Sequence, residues 1–246
     1  MKKYIAGSLL AVGILGMNAA QASLVSVGTG LVYDSVANVT WSSDANLMNT
    51  MATSVGYTNL VNAIIAAVPT VHDTPNSHDN AGPGNYNLSS GDFVSGGVAD
   101  WFGQMAFTGY LNSIDYLGHN TWELPTTYNQ TCSGYNCTNS MMGELFYTGL
   151  GGTAGQSITT SHNASYSLFT NVQNAFYWSG TEDTSNPGGA WNFYTNGGTQ
   201  GANDKSYNDY SWVVLPGNAG AAVPEPAGLA LFGIGIMGLL MSRRKI

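Results

Sequence analysis

Chemistry in this chain would have to come from carboxylates, amides, a few imidazoles and aromatic rings, because cationic side chains are scarce. Asn203-Asp204-Lys205-Ser206-Tyr207-Asn208-Asp209 presents carboxylate and amide oxygens at short intervals, the hard donors that calcium prefers. Glu182, Asp183 and Asn186 form a second oxygen-rich stretch, so Asp204, Asn208, Asp209 and Glu182 are the candidate calcium ligands. The spacing lacks the glycine of an EF-hand, and the alternative is an Asn/Asp-rich hairpin connection in which Lys205 neutralises one acid. His72-Asp73 and His78-Asp79 pair imidazole with carboxylate, a combination suited to zinc, copper or nickel, but their Gly/Asn-rich surroundings would hold such ligands loosely. His119 and His162 fall in turns.

Catalytic patterns are missing. There is no Gly-x-Ser-x-Gly elbow and no glycine loop ahead of a Lys-Ser/Thr pair. Acid pairs such as Glu182-Asp183 would serve glycoside hydrolysis only if two carboxylates flanked a substrate about 5–9.5 Å apart, and adjacent loop acids are usually just solvated. The expectation is a protein without catalytic residues. Aromatic rings offer a different chemistry: a ring face stacks on the C–H patches of a sugar while neighbouring amides meet its hydroxyls. Trp178, Trp191, Tyr194 and Trp212 are the candidates for glycan stacking, with a β-rich core as their alternative role.

Charge narrows the choice of partners. Between residues 23 and 222 the chain has one cation, Lys205, against thirteen acids, a formal charge of −12. Nucleic acid is excluded as a partner by this balance, since binding it rests on Lys and Arg neutralising phosphates. Cys132 and Cys137, with Ser-Gly-Tyr-Asn between them, are expected to form a local disulfide in an oxidising compartment. Neither the spacing nor a nearby His supports a zinc or redox role.

The elements that must position these residues are legible in outline. Leu24–Val27, Leu31–Tyr33 and Val39–Trp41 read as strands, with a turn over 34–38. Leu60, Val61, Ile64, Ile65 and Val68 give a helix over 59–68 that Pro69 stops. Residues 70–97 read as a long loop. Asp100 caps a second helix with Phe102, Ala106, Tyr110, Ile114 and Leu117 on one face. Thr121–Leu124 reads as a strand and 141–150 as a short helix with Met142, Leu145 and Phe146 inward, ended by Gly151-Gly152. The segments 175–179, 190–194 and 211–215 are strands. Helices early and strands late make the class α+β, with two or three helices and a mainly antiparallel sheet.

The two ends differ from this middle. Lys2-Lys3, an apolar run over 5–17 and Ala20-Gln21-Ala22 follow the order of a secretory signal, with cleavage between Ala22 and Ser23. At the other end, Val223-Pro224-Glu225-Pro226 precedes an uncharged stretch over 227–241 and then Arg243-Arg244-Lys245. That stretch is short against the roughly 20 residues that span a bilayer, and its basic end should stay cytoplasmic. The expected organisation is a signal peptide over 1–22, an exported domain over 23–218 and a tail over 219–246.

The tail resembles the PEP-CTERM sorting signal. The resemblance implies a Gram-negative envelope, a transiently membrane-tethered precursor, and removal of the apolar helix by an exosortase after signal peptidase has acted. It also implies a mature protein at the cell surface or outside the cell, associated with exopolysaccharide or biofilm. The middle resembles the Lcl C-terminal domain family through Gly30–Asp34, Val39–Asn46, Trp122–Thr126, Met142–Phe146, Tyr177–Glu182, Ala190–Phe193 and Trp212–Gly217. That resemblance implies a compact fold similar to C-type lectin-like and sulfatase-modifying-factor-like domains. Glu123 and Leu215 stand where the family commonly has arginine, so no anion contact is carried over to them.

Overall fold

The computed structural model describes residues 24–80 and 82–220. The signal residues Ala20, Ala22 and Ser23 lie outside the described residues, as do the tail residues Val223, Pro224, Glu225, Pro226, Arg243 and Arg244. Strands β1 (Leu24–Gly28), β2 (Leu31–Asp34) and β3 (Val39–Ser42) follow one another as an antiparallel meander. Asp34 makes the return from β2 to β3: its Oδ1 accepts from the backbone N–H of Val36 at 3.0 Å and of Ala37 at 3.2 Å. Asn38 completes the turn in the left-handed region at φ 51°, where asparagine is tolerated.

Two helices follow, α1 (Leu47–Val55) and α2 (Tyr57–Ala67). The second is the expected one. The first is additional, because its Asn, Thr and Ser are weak helix formers and it is held by burial of Leu47 and Met48. Residues 70–97 are not one long loop. They contain β4 (Thr70–Asp73) paired with β5 (Gly84–Asn87), and β6 (Phe93–Val94), which pairs with β7 (Val98–Ala99) just beyond. Strand alternation in β4 buries Val71 and Asp73, and the charge on the second inward residue conceals the pattern in the sequence.

Helix α3 (Trp101–Ser113) starts where expected, with the Asp100 carboxylate accepting from Gly103 N at 2.7 Å. It stops sooner: Asp115 and Leu117 adopt positive φ, and Ile114 and Leu117 are 45% and 41% exposed instead of inward. Strand β8 (Gly134–Tyr135) lies inside the Cys132–Cys137 disulfide loop. Helix α4 (Met141–Glu144) runs on through a π turn over Leu145–Gly149, burying Met142, Leu145 and Phe146. The strand expected at 121–124 reduces to one bridge, in which Glu123 and Val214 exchange backbone hydrogen bonds of 2.9 Å.

The last third supplies β9 (Phe176–Glu182), β10 (Gly189–Tyr194), β11 (Thr199–Asp204) and β12 (Val214–Pro216). Strand β12 pairs with β3, Val214 opposite Trp41, so the end of the domain closes on its beginning in the order β1-β2-β3-β12. The second large sheet has the order β8-β11-β10-β9. It lies between two apolar cores: Trp178 and Ala190 join Leu60, Ile64, Phe102, Phe107 and Trp122, while Tyr177 and Phe193 join Trp41, Met142, Phe146 and Trp212. The class is α+β with antiparallel large sheets, as expected, and α1 brings the helices to four among the described residues.

Gly143 sets how closely α4 approaches the disulfide loop. A Cβ there would stand 1.9 Å from the carbonyl oxygen of Cys137, which is backbone and cannot rotate away. Gly143→Ala is therefore expected to cost about 2 kcal/mol or more by overpacking, and to lower Tm by roughly 5 °C or more. A thermal melt that overlays wild type would mean that the loop shifts freely.

Candidate functional site

Lys205 is the only Lys or Arg among the described residues, and it is 0% exposed. Its Nζ donates to Asp73 Oδ1 at 2.5 Å and to Glu182 Oε2 at 2.8 Å, and stands 4.7 Å from the centroid of the Trp101 ring and 5.8 Å from that of Phe102. The backbone is tied as well: Lys205 N donates to Gly188 O, and Lys205 O accepts from Trp101 N, both at 2.9 Å. His78 extends the cluster, with Nε2 3.3 Å from Asp204 Oδ1 and Nδ1 3.8 Å from Asp73 Oδ2. Four separate segments meet here: the β4–β5 hairpin, the start of α3, the end of β9 and the end of β11. A buried cation with two carboxylates and two aromatic faces is a clamp that fixes the hairpin to the main sheet.

This arrangement corrects the calcium expectation. Glu182 is already met by Lys205, and Asp209 turns inward, where its Oδ2 accepts from Asn192 Nδ2 at 2.9 Å. Asp204 Oδ1 accepts from the N–H of Ser206 at 2.9 Å and its hydroxyl at 2.7 Å, and Asn208 is exposed. The four residues do not converge. Among the described residues, no group of three or more His, Cys, Asp or Glu is placed to hold a metal ion. The two His-Asp pairs are likewise divided: Asp73 is buried against Lys205 while His72 points to solvent. Lys205 does neutralise acid, at Asp73 and Glu182, but residues 203–209 are not a hairpin connection: they lead from β11 to β12, which belong to different sheets.

The tryptophan reading is also overturned. All six tryptophans are 5% exposed or less, so Trp178, Trp191 and Trp212 belong to the core and present no face to a ligand. Trp178 Nε1 donates to Ala99 O at 3.3 Å and Trp212 Nε1 to Ser42 O at 2.9 Å. Burying one such ring contributes on the order of 4–6 kcal/mol, which is why a β-rich interior claims them. Tyr194 differs from the three tryptophans: it is half-buried at the end of β10, its ring stacked on Phe176 with centroids 4.3 Å apart. Cys132 and Cys137 form the expected disulfide.

The sequence motifs do not reveal a second buried polar cluster. Glu144 lies in the core against Asp34, and no donor reaches either of its carboxylate oxygens. Burial, then the neighbouring Asp34 carboxylate, push Glu144 up to about 8. Burial also pushes Asp100 up to about 7 and Asp209 up to about 6. Burial, followed by the charges of Glu123, Asp34 and Glu144, raises Tyr128. Leu215 packs in the core.

Six of the thirteen acids between 23 and 222 are buried: Asp34, Asp73, Asp92, Asp100, Glu144 and Asp209. The described surface therefore carries seven acids and no Lys or Arg, and is more neutral than the formal charge of −12 suggests. None of the described helices is long and apolar enough to cross a membrane.

A mainly antiparallel α+β domain, closed by pairing of its first and last sheet segments and locked by one internal cation, defines the class of module. The chain belongs to the Lcl C-terminal domain family, which it matches over residues 30–215. Residues 222–245 match the PEP-CTERM protein-sorting motif, which marks an exported protein sorted by exosortase to the cell surface or beyond. No curated protein and no solved structure matches the chain.

Proposed function

We propose that this protein is a non-catalytic surface or matrix component that associates with the exopolysaccharide of a biofilm and binds uncharged carbohydrate. The observation that carries this reading is the cation-free described surface, since the single lysine is sealed inside. Such a surface repels nucleic acid, anionic lipid and acidic polymers, and meets its surroundings through hydroxyls and amides. The sorting motif supports delivery to a place where polysaccharide is abundant. Burial of all six tryptophans favours a second reading, a purely structural component whose bulk and hydration serve the matrix without a ligand pocket.

Retention of the purified protein on immobilised neutral glucans, alginate and DNA separates the readings. The expected result is retention on a neutral glucan that is unchanged between 20 and 150 mM salt, a range over which ionic contacts weaken strongly, and unchanged by EDTA. Retention on alginate or DNA alone would contradict the proposal, and retention on nothing would leave the structural reading.

A further inference from the structure

The β8-β11-β10-β9 sheet extends beyond the elements that cover it. Tyr135 on β8 is directly opposite Thr199 on β11, Thr199 is opposite Tyr194 on β10, and Tyr194 is opposite Phe176 on β9. Directly opposed residues share a face, so these four form one row across all four strands, roughly 14 Å long at the usual strand spacing. Two residues further along the same face, Trp178 and Asn192 are sealed inside the domain. The row itself is open: Tyr135 is 55% exposed, and Thr199, Tyr194 and Phe176 are half-buried.

The platform is preorganised. Tyr147 OH accepts from Asn136 N at 2.9 Å and donates to Gly198 O at 2.5 Å, which joins the β8 loop to the β10–β11 turn. The Cys132–Cys137 disulfide closes the loop that presents Tyr135. Asn196 Nδ2 donates to Tyr194 OH at 2.9 Å. Gly197 lies between the two tyrosines: a Cβ there would stand 3.8 Å from both Tyr135 Cε1 and Tyr194 Cδ1. The result is an aromatic strip in which Phe176 and Tyr194 stack on each other at 4.3 Å and Gly197 leaves a gap between Tyr194 and Tyr135, with Asn136, Asn196 and Thr199 beside it and no charged member.

We infer that this strip is a calcium-independent binding site for a neutral polysaccharide strand, an inference that rests on the carbohydrate reading above. Aromatic faces stack on the C–H faces of sugar rings, the flanking amides and hydroxyls exchange hydrogen bonds with sugar hydroxyls, and the absence of charge in the strip matches an uncharged polymer. An anionic strand would gain nothing here, and an apolar peptide would leave the amides at the rim unsatisfied.

Affinity electrophoresis of the full-length protein through gels containing dextran or laminarin, with EDTA, tests the site. Tyr135→Ala and Tyr194→Ala should each weaken retardation about five- to tenfold. Gly197→Ala should weaken it too, by placing a methyl group in the gap at ordinary contact distance from both rings. Gly197 does not adopt a positive φ, so a side chain there is not strained, and an unchanged melting temperature would verify the fold. Wild type and all three variants retarded alike would overturn the site and leave the carbohydrate reading intact. Wild type retarded by neither glucan would overturn the carbohydrate reading and the site with it.

Discussion

Lys205→Met is expected to lower the free energy of unfolding by about 3–5 kcal/mol. Asp73 is fully buried, and its Oδ1 has Lys205 as its charged partner at 2.5 Å, while no hydrogen-bond donor reaches Oδ2. Removing the ammonium leaves that carboxylate in a low-dielectric site beside Trp101 and Phe102 with its charge uncompensated. Glu182 suffers less because it is partly exposed and water can replace its partner. Adding Asp73→Asn should therefore recover at least half of the loss, because the double variant no longer buries a charge. Limited proteolysis should cut the Lys205→Met chain first between β4 and β5, since the cluster ties that hairpin to the ends of β9 and β11. Urea midpoints for the two variants measure the effect. A Lys205→Met midpoint within error of wild type would show that the cluster contributes no net stability.

Stability should fall as pH rises from about 5 to 8.5, on the order of 2–3 kcal/mol once solvent screening is allowed for. Glu144 is pushed up to about 8, Asp100 to about 7 and Asp209 to about 6, in each case first by burial. Their unfolded counterparts titrate near 4. Between these limits the folded chain holds more protons than the unfolded one, so this contribution is complete below about pH 4 and is lost as pH passes through the folded values. Asp204 acts oppositely, since its Ser206 hydrogen bonds hold it below the usual carboxylate range, but that contribution is lost only under more acid conditions. Glu144→Gln should flatten the profile: an amide stays neutral, can donate to Asp34, and should make the variant more stable than wild type at pH 8.5 while nearly matching it at pH 5. Chemical denaturation at several pH values decides the matter. A stability that rises across this range would refute the assignment.

Much of the fold was legible because it follows from local patterns. Val39-Thr-Trp is a strand because β-branched and aromatic residues fit a pleated surface, and Asp100 caps α3 because a carboxylate satisfies N–H groups that the helix leaves open. Pro69 closes α2 because it has no N–H to continue it. The motifs that carry the family resemblance meet in the core: Asp34 from the first lies against Glu144 from a later one. The β4–β5 hairpin was hidden because its inward residues are Val71 and a charged Asp73. Helix α1 was hidden because its residues form helix only with tertiary support.

The candidate sites fared differently for one reason. Glu182, Asp204 and Asp209 suggested calcium because oxygen ligands were close in sequence, yet strand alternation and turning direct them to different partners. The tryptophans suggested sugar stacking by residue type, and the interior claimed all of them.

By itself, the sequence determined the class of fold, the local disulfide, the scarcity of positive charge and the sorting motif, because each resides in neighbouring residues or in composition. Only the tertiary structure decided that Lys205 is internal and that Tyr135, Thr199, Tyr194 and Phe176 share one partly exposed row. Burial and cross-strand register depend on which distant segments pack together, and no short stretch of chain encodes that.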